Sequence, residues 1–320
     1  MPEEDTVQNP LKLFSTIILW CVASLAVAQE LPISFENQPG NVRILAGEQP
    51  LAAYNYSDRK IPRPYFAHVR TLDGIQVTRN HPPIAGRDLV DHDTFHPGIW
   101  LAFGDLQTAD NWRLKAPVRH IEFLQQPKGQ QGQGSFAVHN QYLASDGQRV
   151  VCDENCQFTV KLVPDGYLLL WDSTFRSNSM DFAFGDQEEM GLGFRVATPL
   201  SVKNGGSILL SSGEKDEKAV RGKSANWCDY SGRIDSRYVG ISVMPHSDNF
   251  RASWYHARDY GFVAANPFGR KALTGGEPSS VTVRKGEAFR LRFGVYIHSS
   301  DTPPAQTVAE TYKLFTNMAF

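Results

Sequence analysis

The sequence predicts an all-β protein, a large antiparallel β-sandwich with one C-terminal helix. Eleven short apolar runs follow one another with no helical pattern between them, which points to stacked antiparallel sheets and away from a βαβ fold. Turn-forming residues fill the gaps, as in Pro164-Asp165-Gly166 and Asn204-Gly205-Gly206. The clearest run alternates strictly, with Phe289, Leu291, Phe293, Val295 and Ile297 on one face.

In chain order, residues 13–28 are apolar and uncharged, follow Lys12 and end in Ala26-Val27-Ala28. This predicts a secretory signal peptide over residues 1–28, cleaved before Gln29, although Glu3, Glu4 and Asp5 depart from the usual basic start. The run is short beside the ~20 apolar residues a membrane span needs, and none after Ala28 is longer. Residues 29–320 are expected to form a single sandwich domain. Strands are expected at 65–71, 75–79, 99–103, 118–124, 136–143, 158–163, 167–175, 192–198, 239–244, 262–265 and 289–297. The Gly/Gln-rich stretch 128–134 reads as a flexible loop, and the charged stretch 214–218 as a solvated one. Pro303-Pro304 can start a helix, on which Val308, Tyr312 and Phe315 fall at i, i+4 and i+7.

The formal charge is −2, and the chain becomes neutral once Glu3, Glu4, Asp5 and Lys12 leave with the signal peptide. A neutral body without a basic run argues against a nucleic-acid partner. Export implies a periplasmic or secreted protein with no membrane span after cleavage. Cys152 and Cys156, separated by Asp-Glu-Asn, read as the ends of a tight hairpin that a disulfide could clamp, two reduced thiols being the alternative. Cys228 is left over. No GxSxG, P-loop, dinucleotide or HExxH motif occurs, so no cofactor is expected. The one metal alternative is a divalent ion held by His92, His96 and a distant His256 or Asp.

Polar clusters mark where chemistry belongs. Asp91-His92-Asp93-Thr94-Phe95-His96 packs four titratable groups into six residues at the entrance to an apolar strand. They cannot all be buried cheaply, so they face solvent, a ligand or one another. Pro97-Gly98 makes the segment a loop, and His92 and His96 are proton-transfer candidates, the alternative being a loop held by Asp–His bonds. His256, Arg258 and Asp259 among Trp254, Tyr255 and Tyr260, followed by Asn266, offer the rings and planar donors that a sugar uses; the plain alternative is an Arg258–Asp259 pair with core aromatics. Glu188 and Glu189 precede a strand, where one can serve as a general base or both as an exposed turn. Trp227 and Asp229 are candidates for the same cleft, and Arg79 and Asn80 end an early strand with ligand-capable side chains.

Five of these motifs, in order, resemble a bacterial family of unknown function commonly labelled methane oxygenase PmoA (PmoA-like). They are Pro64-Tyr-Phe-Ala-His-Val-Arg with Gly-Ile-Gln-Val-Thr-Arg-Asn80; Asp91-His-Asp with His96; Ile99-Trp-Leu-Ala-Phe-Gly-Asp105 with Asn111-Trp112; Gly185-Asp with Glu189; and Asp229-Tyr-Ser-Gly with His256-Ala-Arg-Asp-Tyr-Gly and Ala265-Asn-Pro-Phe-Gly269. The label names a membrane subunit, and this chain has no span to match it. The resemblance implies instead a galactose-mutarotase-like supersandwich and carbohydrate use. Where the family reads His-His-Arg-Ser-Leu-Trp, this chain has Phe95-His96-Pro97-Gly98-Ile99-Trp100, without the first His and the Arg.

By that analogy His92, His96, Glu189 and Asp229 carry acid–base chemistry. Arg79, Asn80, Trp227, His256, Arg258, Asp259 and Asn266 bind substrate. The function expected is cleavage of a glycosidic bond, by hydrolysis or elimination, in an oligosaccharide or glycoside. Non-catalytic carbohydrate binding, or a mutarotase or epimerase acting on free sugar, is the alternative.

Overall fold

The computed structural model describes residues 31–318, so the signal-peptide expectation lies outside the described residues. Two eight-stranded antiparallel sheets form the body. The first has the order β1 (Ile33–Gln38), β2 (Asn41–Ala46), β3 (Gln49–Asn55), β4 (Tyr65–Ala67), β5 (Ile99–Phe103), β11 (Met190–Arg195), β16 (Phe262–Asn266), β15 (Trp254–Arg258). The second has β12 (Ser207–Leu210), β13 (Cys228–Ile234), β14 (Arg237–Pro245), β18 (Ala288–Ser300), β9 (Gly166–Arg176), β8 (Val150–Val163), β7 (Gln133–Leu143), β6 (Val118–Gln130). A small ladder pairs β10 (Phe182–Phe184) with β17 (Val281–Val283).

The two sheets face each other across one apolar core, as the alternation requires. Phe66 of the first sheet meets Phe158 and Trp171 of the second at 5.1 and 5.5 Å between ring centroids. Leu291, Phe293, Val295 and Ile297 point into this core from β18, which confirms the alternating run. Among the described residues three α-helices complete the fold: α1 (Asp216–Val220), α2 (Arg270–Thr274) and α3 (Ala305–Thr316). Helix α3 is the expected C-terminal helix. It buries Val308 and Phe315 on the outer face of the second sheet, against Leu168, Leu170, Met244 and Tyr296. Gly294 makes this seat possible, because a Cβ there would stand 3.0 Å from the Phe315 ring.

Three local expectations are corrected. Cys152 and Cys156 do not bracket a hairpin; both sit on the continuous strand β8 with buried, free thiols. Four residues of extended chain separate them by ~13 Å, far beyond disulfide reach. The stretch 128–134 belongs to the paired strands β6 and β7, with Gly129 and Gly134 packed against β1. The charged stretch 214–218 is half helix: Glu217 in α1 exchanges two hydrogen bonds with Asp259, at 2.9 and 3.0 Å. No helix among the described residues is long and apolar enough to cross a membrane.

Candidate functional site

The alternation of the first sheet leaves Trp100 and Ala102 of β5, Gly193 and Arg195 of β11, Phe262 and Ala264 of β16, and His256 of β15 on its outer face. Two excursions of the chain, roughly 80–98 and 104–117, fold back over this face. Trp100, Trp112 and Phe262 form its apolar floor. Gly193 is required beneath them: a Cβ there would lie 2.8 Å from Trp112 and 3.0 Å from Trp100.

Two buried arginines hold the 80–98 segment down. Arg79 spends its guanidinium on the backbone carbonyls of Leu89, Asp91, His92 and His96, at 2.6–3.2 Å. Arg195 grips the Asp91 carboxylate with both NH2 groups, at 3.0 and 2.9 Å, and lies 4.3 Å over the Tyr260 ring. Burial pushes the Asp91 carboxyl up, but Arg195 and His92 outweigh it and hold it at about 2. Asp91 also bonds His92 Nδ1 at 2.8 Å. That bond orients the ring and leaves Nε2 free, on a side chain 40% exposed. His92 sits at φ +48°, a left-handed position that a histidine adopts at a cost.

His96 lies beneath His92. Its ring stacks on His92 at 4.8 Å, on Trp100 at 5.0 Å and on Phe262 at 4.6 Å, and only 1% of the residue is exposed. Burial, then Arg195, pushes it well below the ordinary histidine range, so it is neutral. Arg195 approaches Nδ1 at 3.5 Å and can only donate, which assigns the His96 proton to Nε2.

Glu188 and Glu189 enter from the loop before β11. Asn266 pins that loop: its amide donates to the carbonyls of Gln187 and Glu188 at 2.8 and 3.1 Å, and its oxygen accepts from Phe268 and Gly269. Glu189 pairs with Arg113 and lies within electrostatic reach of His92. Burial pushes the Glu189 carboxyl above its ordinary range, against the pull of Arg113. Glu188 bonds Arg221 at 2.5 Å and stands 3.9 Å from both Arg258 and His256 Nε2. Burial, then Arg258, lowers His256 to about 4, and its Nδ1 bonds the Glu188 carbonyl at 3.2 Å.

Buried polar atoms without a hydrogen-bond partner gather here: Arg63 Nε, His96 Nε2, Trp100 Nε1, Trp112 Nε1 and His256 Nε2. Each such group costs about 1–3 kcal/mol. Such a concentration is a departure from optimal stability of the kind that functional sites tolerate.

The structure therefore gathers His92, His96, Glu189, His256 and Arg258 on one face. Arg79, Asn80, Asp259 and Asn266 lie around them but spend their polar groups on the protein; Asn80, for instance, bonds Asp88 at 2.9 Å. Asp229 and Trp227 are not brought there. Both lie on the outer face of the second sheet, where Trp227 packs in the α3 cluster. Asp229 accepts from Ser231 and Ser242, each at 2.6 Å, and pairs with His298 at 2.8 Å. Strand β13 belongs to the second sheet, so a role in the His92 cleft is beyond its reach. Sequence reasoning missed Arg195, Arg113 and Arg63. Arg195 had a signal: the alternation in Leu192-Gly193-Phe194-Arg195 sets a charge beside a glycine on the non-core face. Among the described residues no three His, Cys, Asp or Glu side chains are placed to hold a metal ion.

Solved structures align with most of this chain at low similarity. A galactose mutarotase-like protein from Lactobacillus casei aligns with 83% of this chain and 100% of its own, at 10% identity and a TM-score of 0.37. One from Clostridium acetobutylicum gives 85%, 100%, 10% and 0.40. The heparan sulfate lyase HepC of Pedobacter heparinus aligns over 86% of this chain and 36% of its own, at 7% identity and 0.37. Likenesses this remote say nothing of activity. No curated protein matches. The family match comes under another name than the PmoA-like one that the motifs suggested. It runs over residues 41–313, and the chain belongs to the family of unknown function DUF6807.

Proposed function

We propose that this chain is an exported carbohydrate-active enzyme that cleaves a glycosidic bond with His92 and Glu189 as its proton-transfer groups. The observation that carries this is the open end of His92: Asp91 fixes Nδ1 and leaves Nε2 free, within electrostatic reach of the Glu189 carboxyl, which burial pushes up. Hydrolysis and elimination both need one group that takes a proton and another that gives one, with pKa values near the working pH. His92, with an exposed side chain, and Glu189, a mostly buried carboxyl on the same face, are the two groups offered for these roles. Arg258 and Tyr260 supply a planar donor and a ring face for hydroxyls and C–H groups. The apolar run 13–28 supports export to the periplasm or beyond.

The test is a screen of the purified mature chain against oligosaccharides and 3-keto-glycosides. New reducing ends, or the absorbance of unsaturated products, are expected from at least one. Binding without either product would favour the non-catalytic carbohydrate-binding reading. Anomer exchange of a free sugar without cleavage would favour a mutarotase or epimerase.

A further inference from the structure

A cleft of about 520 Å³ opens next to the Arg113–Glu189 pair, and none of the catalytic or substrate-binding candidates named from the sequence lines it. It is lined by the acids Asp105 and Asp110, the bases Arg113 and Lys115, and the neutral Thr108, Ser145 and Gln187. We infer that this cleft is a second saccharide subsite, which holds an uncharged sugar unit next to the one at His92, with Arg113 joining the two. The inference rests on the function proposed above and names where the neighbouring sugar unit sits.

The first argument is continuity. Arg113 pairs with Glu189 on one side and with Asp110, at 3.3 Å, on the other. The Gly104 N–H donates to the Glu189 carbonyl at 2.9 Å. A Cβ on Gly104 would stand 2.8 Å from that carbonyl and 3.3 Å from Arg113, so only glycine lets the cleft wall close against the site.

The second argument is charge. Asp105 and Asp110 balance Arg113 and Lys115, and Thr108, Ser145 and Gln187 add neutral donors and acceptors. A sugar hydroxyl both donates and accepts, so this mixed lining matches a neutral polyol. A phosphate or uronate would meet two carboxylates. The volume is in the range of small-molecule sites, about 300–1,000 Å³.

The third argument is backbone strain. Gln107 and Thr108 are consecutive non-glycine residues at φ +52° and +69°, and Leu114 follows at +62°. The Asp105–Ala109 turn is over-determined: Leu106 and Ala109 exchange backbone bonds, Asp105 caps the Thr108 N–H, and Gln107 bonds Ala183 through its N–H and its side chain. Backbone held in costly conformations by many bonds is a feature of ligand-binding segments.

The experiment is calorimetric binding of neutral tetrasaccharides (cellotetraose, maltotetraose, xylotetraose, mannotetraose) and of tetragalacturonate to the mature chain. Ser145→Trp, which fills the cleft without touching Glu189, is compared with wild type. The expected result is binding of at least one neutral probe, weakened about tenfold or more by the Trp. Gln187→Leu keeps the volume, removes the amide and is expected to weaken the same probe about fivefold; it serves if the Trp variant misfolds. Unchanged affinity in both variants would overturn the subsite and leave the chemistry at His92 standing. Tighter binding of tetragalacturonate would overturn the neutral ligand. No binding of any probe by wild type would overturn the subsite together with the function it rests on.

Discussion

Two of the Asp–His pairs among the described residues have the same bond length and opposite surroundings. Asp91–His92 and Asp229–His298 both close at 2.8 Å. The first has side chains 36% and 40% exposed, on the outer face of the first sheet. The second has side chains 2% and 1% exposed, on the outer face of the second. Asp229 gives all its bonds to neighbours on β13, β14 and β18, so the pair clips three strands together. Asp91 is gripped from behind by Arg195, so its histidine points a free nitrogen outward. The hydrogen bond alone does not distinguish a clip from a reactive group. What lies at the far end of the imidazole does.

That contrast can be broken or sharpened by substitution. The largest effect is expected at the sealed pair. Asp229→Ala leaves the buried His298 and Ser242 without their acceptor, and should lower the unfolding free energy by about 3–5 kcal/mol in urea titration. A loss below about 1 kcal/mol would mean the clip is not structural. His96→Ala comes next. It removes a ring stacked on Trp100 and Phe262, and about 3 kcal/mol of stability should go with it. An unchanged urea midpoint would show that the floor tolerates the void.

Acidification should also lower stability. His81 and His256 are lowered to about 4, chiefly by burial, and His96 lies well below its ordinary 6.5. The unfolded chain takes up protons at these residues below about 6.5 while the fold keeps them neutral. Their stabilisation is therefore complete above 6.5 and is lost as the pH falls toward 4. Asp91, held at about 2, adds loss only below its ordinary 3.8. Urea midpoints at successive pH values should decline between 6.5 and 4; a flat profile there would refute the neutral burial of these rings. The smallest effect is expected from a reductant. With Cys152, Cys156 and Cys228 free, dithiothreitol should leave Tm unchanged within about 1 °C.

The architecture was legible because alternate residues of a strand face opposite sides, and on β18 Leu291, Phe293, Val295 and Ile297 face the inter-sheet core while Tyr296 faces α3. The same logic failed for 128–134, where glycine and glutamine read as a loop although close approach to β1 demands those glycines. It failed for Cys152 and Cys156 because Asp153, Glu154 and Asn155 resemble a turn. In the fold Glu154 is buried and bonded to Asn140 and Ser173, so the strand continues. The His92 loop was legible as a cluster of charges close in sequence. Asp229 was drawn into the same site by proximity to other motifs, since one sequence does not tell on which sheet a strand lies. Arg195 and Arg63 are single charges whose partners stand tens of residues away, as does Glu189 from Arg113, and such pairings emerge only from the fold.

The central claim is that the exposed pair does the chemistry and the sealed pair does not. It is tested most directly by rates of reducing-end or unsaturated-product release for His92→Gln and His298→Gln beside wild type, on whichever glycoside the screen identifies. The expected result is a fall of about 100-fold or more for His92→Gln with Tm within a few degrees of wild type, and a lowered Tm with a nearly unchanged rate for His298→Gln. An undiminished rate in His92→Gln would contradict the account.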